Sequence, residues 1–97
     1  MTDDREFADD LVPQPAPFVR TAFLDDEAVL YLVHETRAVL LNPTAAVVWA
    51  AIDGETSVAE IAALLAETFH AQPATVRDDV ELVLRHLMEL GALARST

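Results

Sequence analysis

What most constrains this chain is its punctuation between Leu41 and Leu93. Asn42-Pro43 offers a helix N-cap followed by a proline at the first helical position, where the missing N–H is one that a helix leaves unbonded anyway. Apolar residues then recur as Ala45, Val48, Trp49 and Ile52, the i, i+3, i+4, i+7 spacing of one helical face, and Asp53-Gly54 supplies the stop. Thr56 or Ser57 caps a second helix, and Ser57-Val58-Ala59-Glu60 has the spacing of a capping box. Ile61, Leu64, Leu65 and Phe69 follow as its apolar stripe. Gln72-Pro73-Ala74-Thr75 breaks the chain and starts a third helix, with Asp78 and Asp79 near its positive end. Its stripe is Val76, Val80, Val83, Leu84, Leu87 and Leu90. Gly91 ends it, and Ala92-Leu93 returns as a short extended tail.

The residues upstream read differently. Phe18 to Leu24, Ala28 to His34 and Arg37 to Leu41 are rich in strand formers and are separated by the polar turn Asp25-Asp26-Glu27 and by Glu35-Thr36. Such short links exclude parallel crossovers, so the economical arrangement is a three-stranded antiparallel meander. The fold class is therefore α+β, a three-stranded antiparallel sheet followed by three helices. Two short capped helices and a longer third one also match a winged helix-turn-helix-like arrangement. Ala28 to His34 is apolar on both faces, which makes a homodimer plausible. Residues 1–16 carry Asp3, Asp4, Glu6, Asp9 and Asp10 ahead of Pro13, Pro15 and Pro17, a composition that reads as a flexible acidic arm. Phe7, Leu11 and Val12 are its candidates for docking.

Bulk properties narrow the partners. With 97 residues and 53% hydrophobic content, one domain with one core is expected. There is no cysteine, which removes disulfides, thiolate metal sites and cysteine nucleophiles and fits a cytoplasmic location. No apolar run is long enough to span a membrane, and the acidic start lacks the order of a signal peptide. Net charge is −11 and all six basic residues are arginine, so neither a phosphate backbone nor an anionic membrane finds a basic face. Two readings fit: a protein or peptide partner, including one that carries basic groups, or acidity that serves solubility alone.

No catalytic constellation is present. His34, His70 and His86 match no zinc spacing. Asp78 and Asp79 point about 100° apart on a helix and cannot share a proton. Ser57 caps a helix and Ser96 lies in the tail, so no nucleophile elbow exists. Glycine at 54 and 91 makes no phosphate loop, and no Asp-Ser-Leu motif suggests an acyl carrier. No cofactor is expected and the chain reads as a non-enzyme.

A binding surface is legible instead. On the third helix Thr75, Asp79, Leu82 and His86 form a second stripe flanking the core face. Leu82 is an isolated surface leucine or the floor of a groove. In a meander the end strands keep free edges, and Arg37-Ala38-Val39-Leu40-Leu41 has one charge and no proline to blunt its edge. It either receives an added peptide strand or is covered by the acidic arm or by a second copy.

Leu41-Asn42-Pro43-Thr44-Ala45, Asp53-Gly54-Glu55-Thr56-Ser57-Val58-Ala59-Glu60-Ile61, Asp78-Asp79-Val80 and Leu87-Met88-Glu89-Leu90-Gly91-Ala92-Leu93 together resemble the PqqD family, the RiPP precursor peptide recognition elements. The resemblance covers residues 17–95. It implies a non-catalytic chaperone that binds the leader of a ribosomally made precursor, as in lasso peptide or pyrroloquinoline quinone pathways. It would present that leader to a modifying enzyme such as a radical SAM protein or a leader peptidase. The family places the leader as a strand beside the third strand, here Arg37, Ala38, Val39, Leu40 and Leu41, and against the third helix, here Asp79, Leu82, Val83 and His86. Two departures imply a different leader side chain: the third strand is aliphatic where many relatives carry an aromatic, and Val83 replaces an aromatic. The acidic arm is also long for this family. A winged-helix DNA-binding regulator is the alternative that the fold permits, although Asp78, Asp79, Glu81 and Glu89 oppose only Arg77 and Arg85 on the third helix. A scaffold subunit of an enzyme complex, docked through its sheet edge, is another.

Overall fold

The computed structural model describes residues 7–94. Strands β1 (Val19–Leu24), β2 (Glu27–Leu32) and β3 (Arg37–Leu41) form an antiparallel meander in sequence order. Helices α1 (Pro43–Ala51), α2 (Val58–Phe69) and α3 (Pro73–Glu89) follow. Asp25 turns the first hairpin with a left-handed backbone, φ 53°, a conformation that aspartate tolerates better than most residues. β2 stops at Leu32, short of the expected His34. Val33–Glu35 winds into a 3-10 turn closed by Thr36, also left-handed, whose N–H donates to the Val33 carbonyl.

Alternation divides the sheet. Ala28, Leu30, Leu32 and Leu41 are buried beneath the helices, while Leu24, Tyr31 and Leu40 are exposed on the opposite face. The expectation that β2 shows apolar surface on both sides therefore holds only for the outer side, since the inner side is core. Trp49 ties α1 to the sheet, its indole Nε1 donating to Thr21 Oγ1 at 2.8 Å.

Local caps fall where the sequence puts them. Asn42 Oδ1 accepts from the Ala45 N–H at 2.9 Å, and Pro43 opens α1. Ser57 and Glu60 form both halves of a capping box. Gly91, at φ 80°, closes α3 with Ala92 N–H donating to Leu87 O and Gly91 N–H to Met88 O, the paired bonds of a left-handed helix stop.

Two expectations are corrected. On α2, Leu64 and Phe69 are 45% and 43% exposed, and the buried face is Val58, Ile61, Ala62, Leu65 and Ala66. Alanines, which do not register as anchors in a sequence stripe, form part of the packed side. The second correction concerns the arm. Over residues 7–16 it is not loose. Phe7 is 1% exposed within the core. The carbonyls of Leu11 and Asp9 accept from the first N–H groups of α2, on Val58 at 2.8 Å and Ala59 at 3.0 Å. A helix start leaves those donors unbonded, and the arm satisfies them. Arg77 of α3 clamps the arm through Asp9 and the Phe7 carbonyl. Pro15 pairs with Leu93, flanked by Ala16 N–H to Ala92 O and Ala94 N–H to Gln14 O, both 2.8 Å. Asp3, Asp4 and Glu6 of the expected arm, and Arg95 at the far boundary of the expected domain, lie outside the described residues.

Candidate functional site

The polar groups that could suggest chemistry have local structural explanations. Asp53 holds its carboxyl below the usual range by accepting the Glu55 N–H and then the hydroxyl and N–H of Thr56, which makes it a turn residue. His34 packs edge-on against Phe18, ring centroids 4.0 Å apart, and His70 caps α2 in a left-handed conformation. Among the described residues no group of His, Cys, Asp and Glu is arranged to hold a metal ion, no polar side chain is buried, and no helix is long and apolar enough to cross a membrane.

The sheet edge is a different matter. The Val33 N–H donates to the Phe18 carbonyl at 3.1 Å, which marks residues 18 and 33 as a pair that exchanges backbone bonds. Such pairs alternate along an antiparallel ladder. In the observed register Arg20–Tyr31, Ala22–Val29 and Leu24–Glu27 are then bonded pairs, and β2 turns the backbone of Ala28, Leu30 and Leu32 toward Leu41, Val39 and Arg37 of β3. The residues of β3 that aim N–H and C=O away from the sheet are therefore Ala38 and Leu40. β3 pairs with β2 alone among the described residues.

The side chains follow the same parity. Ala38 and Leu40 stand on the outer face, and Leu40 is 62% exposed. Arg37, Val39 and Leu41 stand on the inner face: Arg37 is exposed, Val39 half-buried, and Leu41 is buried in the core, so its side chain is not part of any open surface. On α3, Asp79 and His86 are exposed beside the buried stripe, Leu82 is 60% exposed on the solvent side of the helix next to them, and Val83 is half-buried. Val39 and Val83 both pack against the common core from their partly open positions. Both residues thus border the core. The parity of the edge depends on register and is not readable from the sequence.

Charge on α3 is mostly committed. Arg77 bonds Asp9 at 2.7 Å and Glu81 at 3.3 Å, and Arg85 bonds Glu81 at 3.4 Å. These ion pairs leave Asp78, Asp79 and Glu89 to dominate the helix surface, which is the wrong sign for a helix entering a DNA groove.

Comparison with known proteins agrees with this architecture. Residues 27–93 match the family described as coenzyme PQQ synthesis protein D (PqqD). The fold is similar to that of the PqqD truncation of PqqCD from Methylobacterium extorquens, described as a functional, stand-alone RiPP recognition element. The TM-score is 0.77 and the identity 29%, covering 94% of this chain and 97% of that one. TbiB1 in complex with the TbiA(beta) leader peptide aligns with TM-score 0.78 at 21% identity, covering 87% of this chain and 98% of that one. Lasso peptide synthetase B1 complexed with its leader peptide aligns with TM-score 0.76 at 21% identity, covering 88% and 100%. No curated protein sequence matches the chain.

Proposed function

This chain belongs to the PqqD family, and from that membership and its open sheet edge we propose that it is a non-catalytic recognition element. It binds the leader segment of a ribosomally synthesised precursor peptide in the cytoplasm and presents it to a modifying enzyme, a radical SAM protein or a leader peptidase. Holding the precursor beside its enzyme raises the effective concentration of the reacting segment.

The observation that carries this reading is the outward backbone of Ala38 and Leu40. The leader adds there as a fourth strand. Its residues bonded to Ala38 and Leu40 place side chains on the outer face beside Leu40. The residues between them point inward, toward Val39 and the flank of α3, where Leu82 and Val83 supply apolar contact and Asp79 and His86 polar contact. Arg37 and Leu41 bound the strand wall, Leu41 through its backbone position only.

Magnitudes divide the labour. A ladder bond contributes about 1 kcal/mol net, and fixing each peptide residue costs about 1–2 kcal/mol. The ladder bonds therefore largely offset the ordering of the peptide, and apolar anchors fix the register. Affinity comes from covering exposed leucines such as Leu40 and Leu82, roughly 1–2 kcal/mol for each. The aliphatic strand and Val83 leave room for a larger leader side chain than an aromatic lining would.

The test is an amide NMR titration of labelled protein with the N-terminal half of the precursor encoded beside it. Shifts clustered on residues 36–42 and 75–86 are expected. An unchanged spectrum at high peptide excess would sink the proposal.

A further inference from the structure

A second surface lies away from β3. The first hairpin, α1 and the end of α2 enclose an open groove of about 280 Å³. Phe23, on the inner side of β1, and Phe69, the last residue of α2, line it at 57% and 43% exposure, with Val47 of α1 between them in the lining. Thr68 also borders it, with its hydroxyl donated to the Leu64 carbonyl at 2.8 Å. The hairpin turn with its two successive carboxylates, Asp25 and Asp26, borders the groove, and the first residue of β2, Glu27, completes the lining there. The end of α2 adds the negative pole of a helix on the same side.

We propose that this groove is a docking site for a cationic, apolar segment of a second protein: one aromatic or aliphatic side chain seated between Phe23 and Phe69, flanked by arginine or lysine on the carboxylates. Two exposed phenylalanines over an apolar floor call for a side chain that removes them from water. The rim decides which segment brings it. The described arginines all lie elsewhere: Arg20 on the outer face of the sheet, Arg37 at the far end of β3, Arg77 and Arg85 on α3. His70, next to Phe69, is the nearest titratable base. A second copy of this chain is a poor occupant, because each copy carries −11 and like charges repel across a shared face. The leader edge is also separate: β2 lies between β1 and β3, and two strand spacings put them about 10 Å apart. Leader and partner therefore bind together, at separate places along the sheet, as a protein that hands a peptide to an enzyme requires.

The experiment uses the full labelled chain and three synthetic pentapeptides, acetylated and amidated: Gly-Arg-Phe-Arg-Gly, the same with Glu for Arg, and the same with Gly for Phe. The first is expected to give saturable amide shifts over residues 23–27, 46–50 and 68–70 that weaken as salt is added. The other two are expected to give none there. Phe69→Ala, whose side chain is exposed, should keep the fold and weaken binding about tenfold. The double change Asp25→Asn, Asp26→Asn should do the same without touching the apolar floor, since asparagine also tolerates the left-handed backbone at 25. Leader titrations at β3 should be unchanged in both variants, so that loss of one site is distinguishable from loss of the other. No shift in the groove at millimolar peptide, equal shifts with the glutamate peptide, or shifts confined to residues 36–42 would overturn the proposal.

Discussion

The carbonyl of Leu11 accepts the N–H of Val58 at 2.8 Å, so the acidic N-terminal segment completes the start of the second helix. With Phe7 in the core and Asp9 on Arg77, the segment is part of the fold. Phe7→Ala should cost about 3 kcal/mol of stability, the usual scale for emptying a phenylalanine site. Urea denaturation followed by far-UV circular dichroism measures it. A loss below about 1 kcal/mol would mean that the segment is held by its backbone bonds alone.

Edge parity separates two prolines that composition alone would treat alike. Leu40→Pro removes an N–H that points away from the sheet, where an edge strand tolerates proline. Val39→Pro removes one that bonds Leu30 inside the ladder. Leu40→Pro should melt close to the parent yet fail to bind the leader by calorimetry, whereas Val39→Pro should lower the melting temperature by several degrees. Retained leader binding in Leu40→Pro would move the peptide off this edge.

Local signals made much of the fold readable. Asn42, Ser57 with Glu60, and Gly91 each act within a turn of their own position, so most helix boundaries came through the sequence. The exception is the end of α1, which stops at Ala51 with an extended Ile52 as its cap, ahead of the expected glycine cap at Gly54. Where an outcome depends on distant residues, legibility fails. Leu64 and Phe69 fit a helical stripe, but the face of α2 that packs runs through Ala62 and Ala66, and which face packs is set by the neighbouring elements. The arm has the composition of a loose segment, and its anchors, α2 and Arg77, lie far along the chain. The candidate site splits the same way. Residues 37–41 read as an unblunted strand, but which of them face outward follows from the pairing of residues 18 and 33 through the register of the whole sheet. The groove beneath Phe23 and Phe69 left no sequence signal, because a stripe residue and a strand residue each look like core until the packing exposes them.

Asp53 gives stability a defined pH dependence. Its folded carboxyl sits below the ordinary value of 3.8 because the ionised form accepts the N–H of Glu55 and the hydroxyl and N–H of Thr56. A folded value below the unfolded one means that the contribution is complete above the unfolded value and is lost as pH falls through the folded one. Asp53→Asn keeps an acceptor for the turn without the charge. Parent and variant should differ in denaturation midpoint at pH 7 and converge in acid below 3.8. A gap that persists or widens in acid would contradict the turn assignment.

Leu82 and Leu64 offer a matched pair for the helix wall, since both are helical leucines on the surface, 60% and 45% exposed. Leu82 lies on the solvent side of α3 next to Asp79 and His86, and Leu64 lies on α2. Neither supports the core, so Leu82→Asp and Leu64→Asp should each change stability by less than about 1 kcal/mol. Their effects on leader binding should diverge. Leu82→Asp removes an apolar contact and sets a carboxylate beside Asp79, which should weaken affinity at least about tenfold. Leu64→Asp should leave it within about twofold. Calorimetric titration of both variants with the same leader peptide decides the matter. Equal losses would point to general electrostatic repulsion in an already acidic protein, and no loss in Leu82→Asp would remove α3 from the proposed groove while leaving the β3 edge to be judged by its own variant.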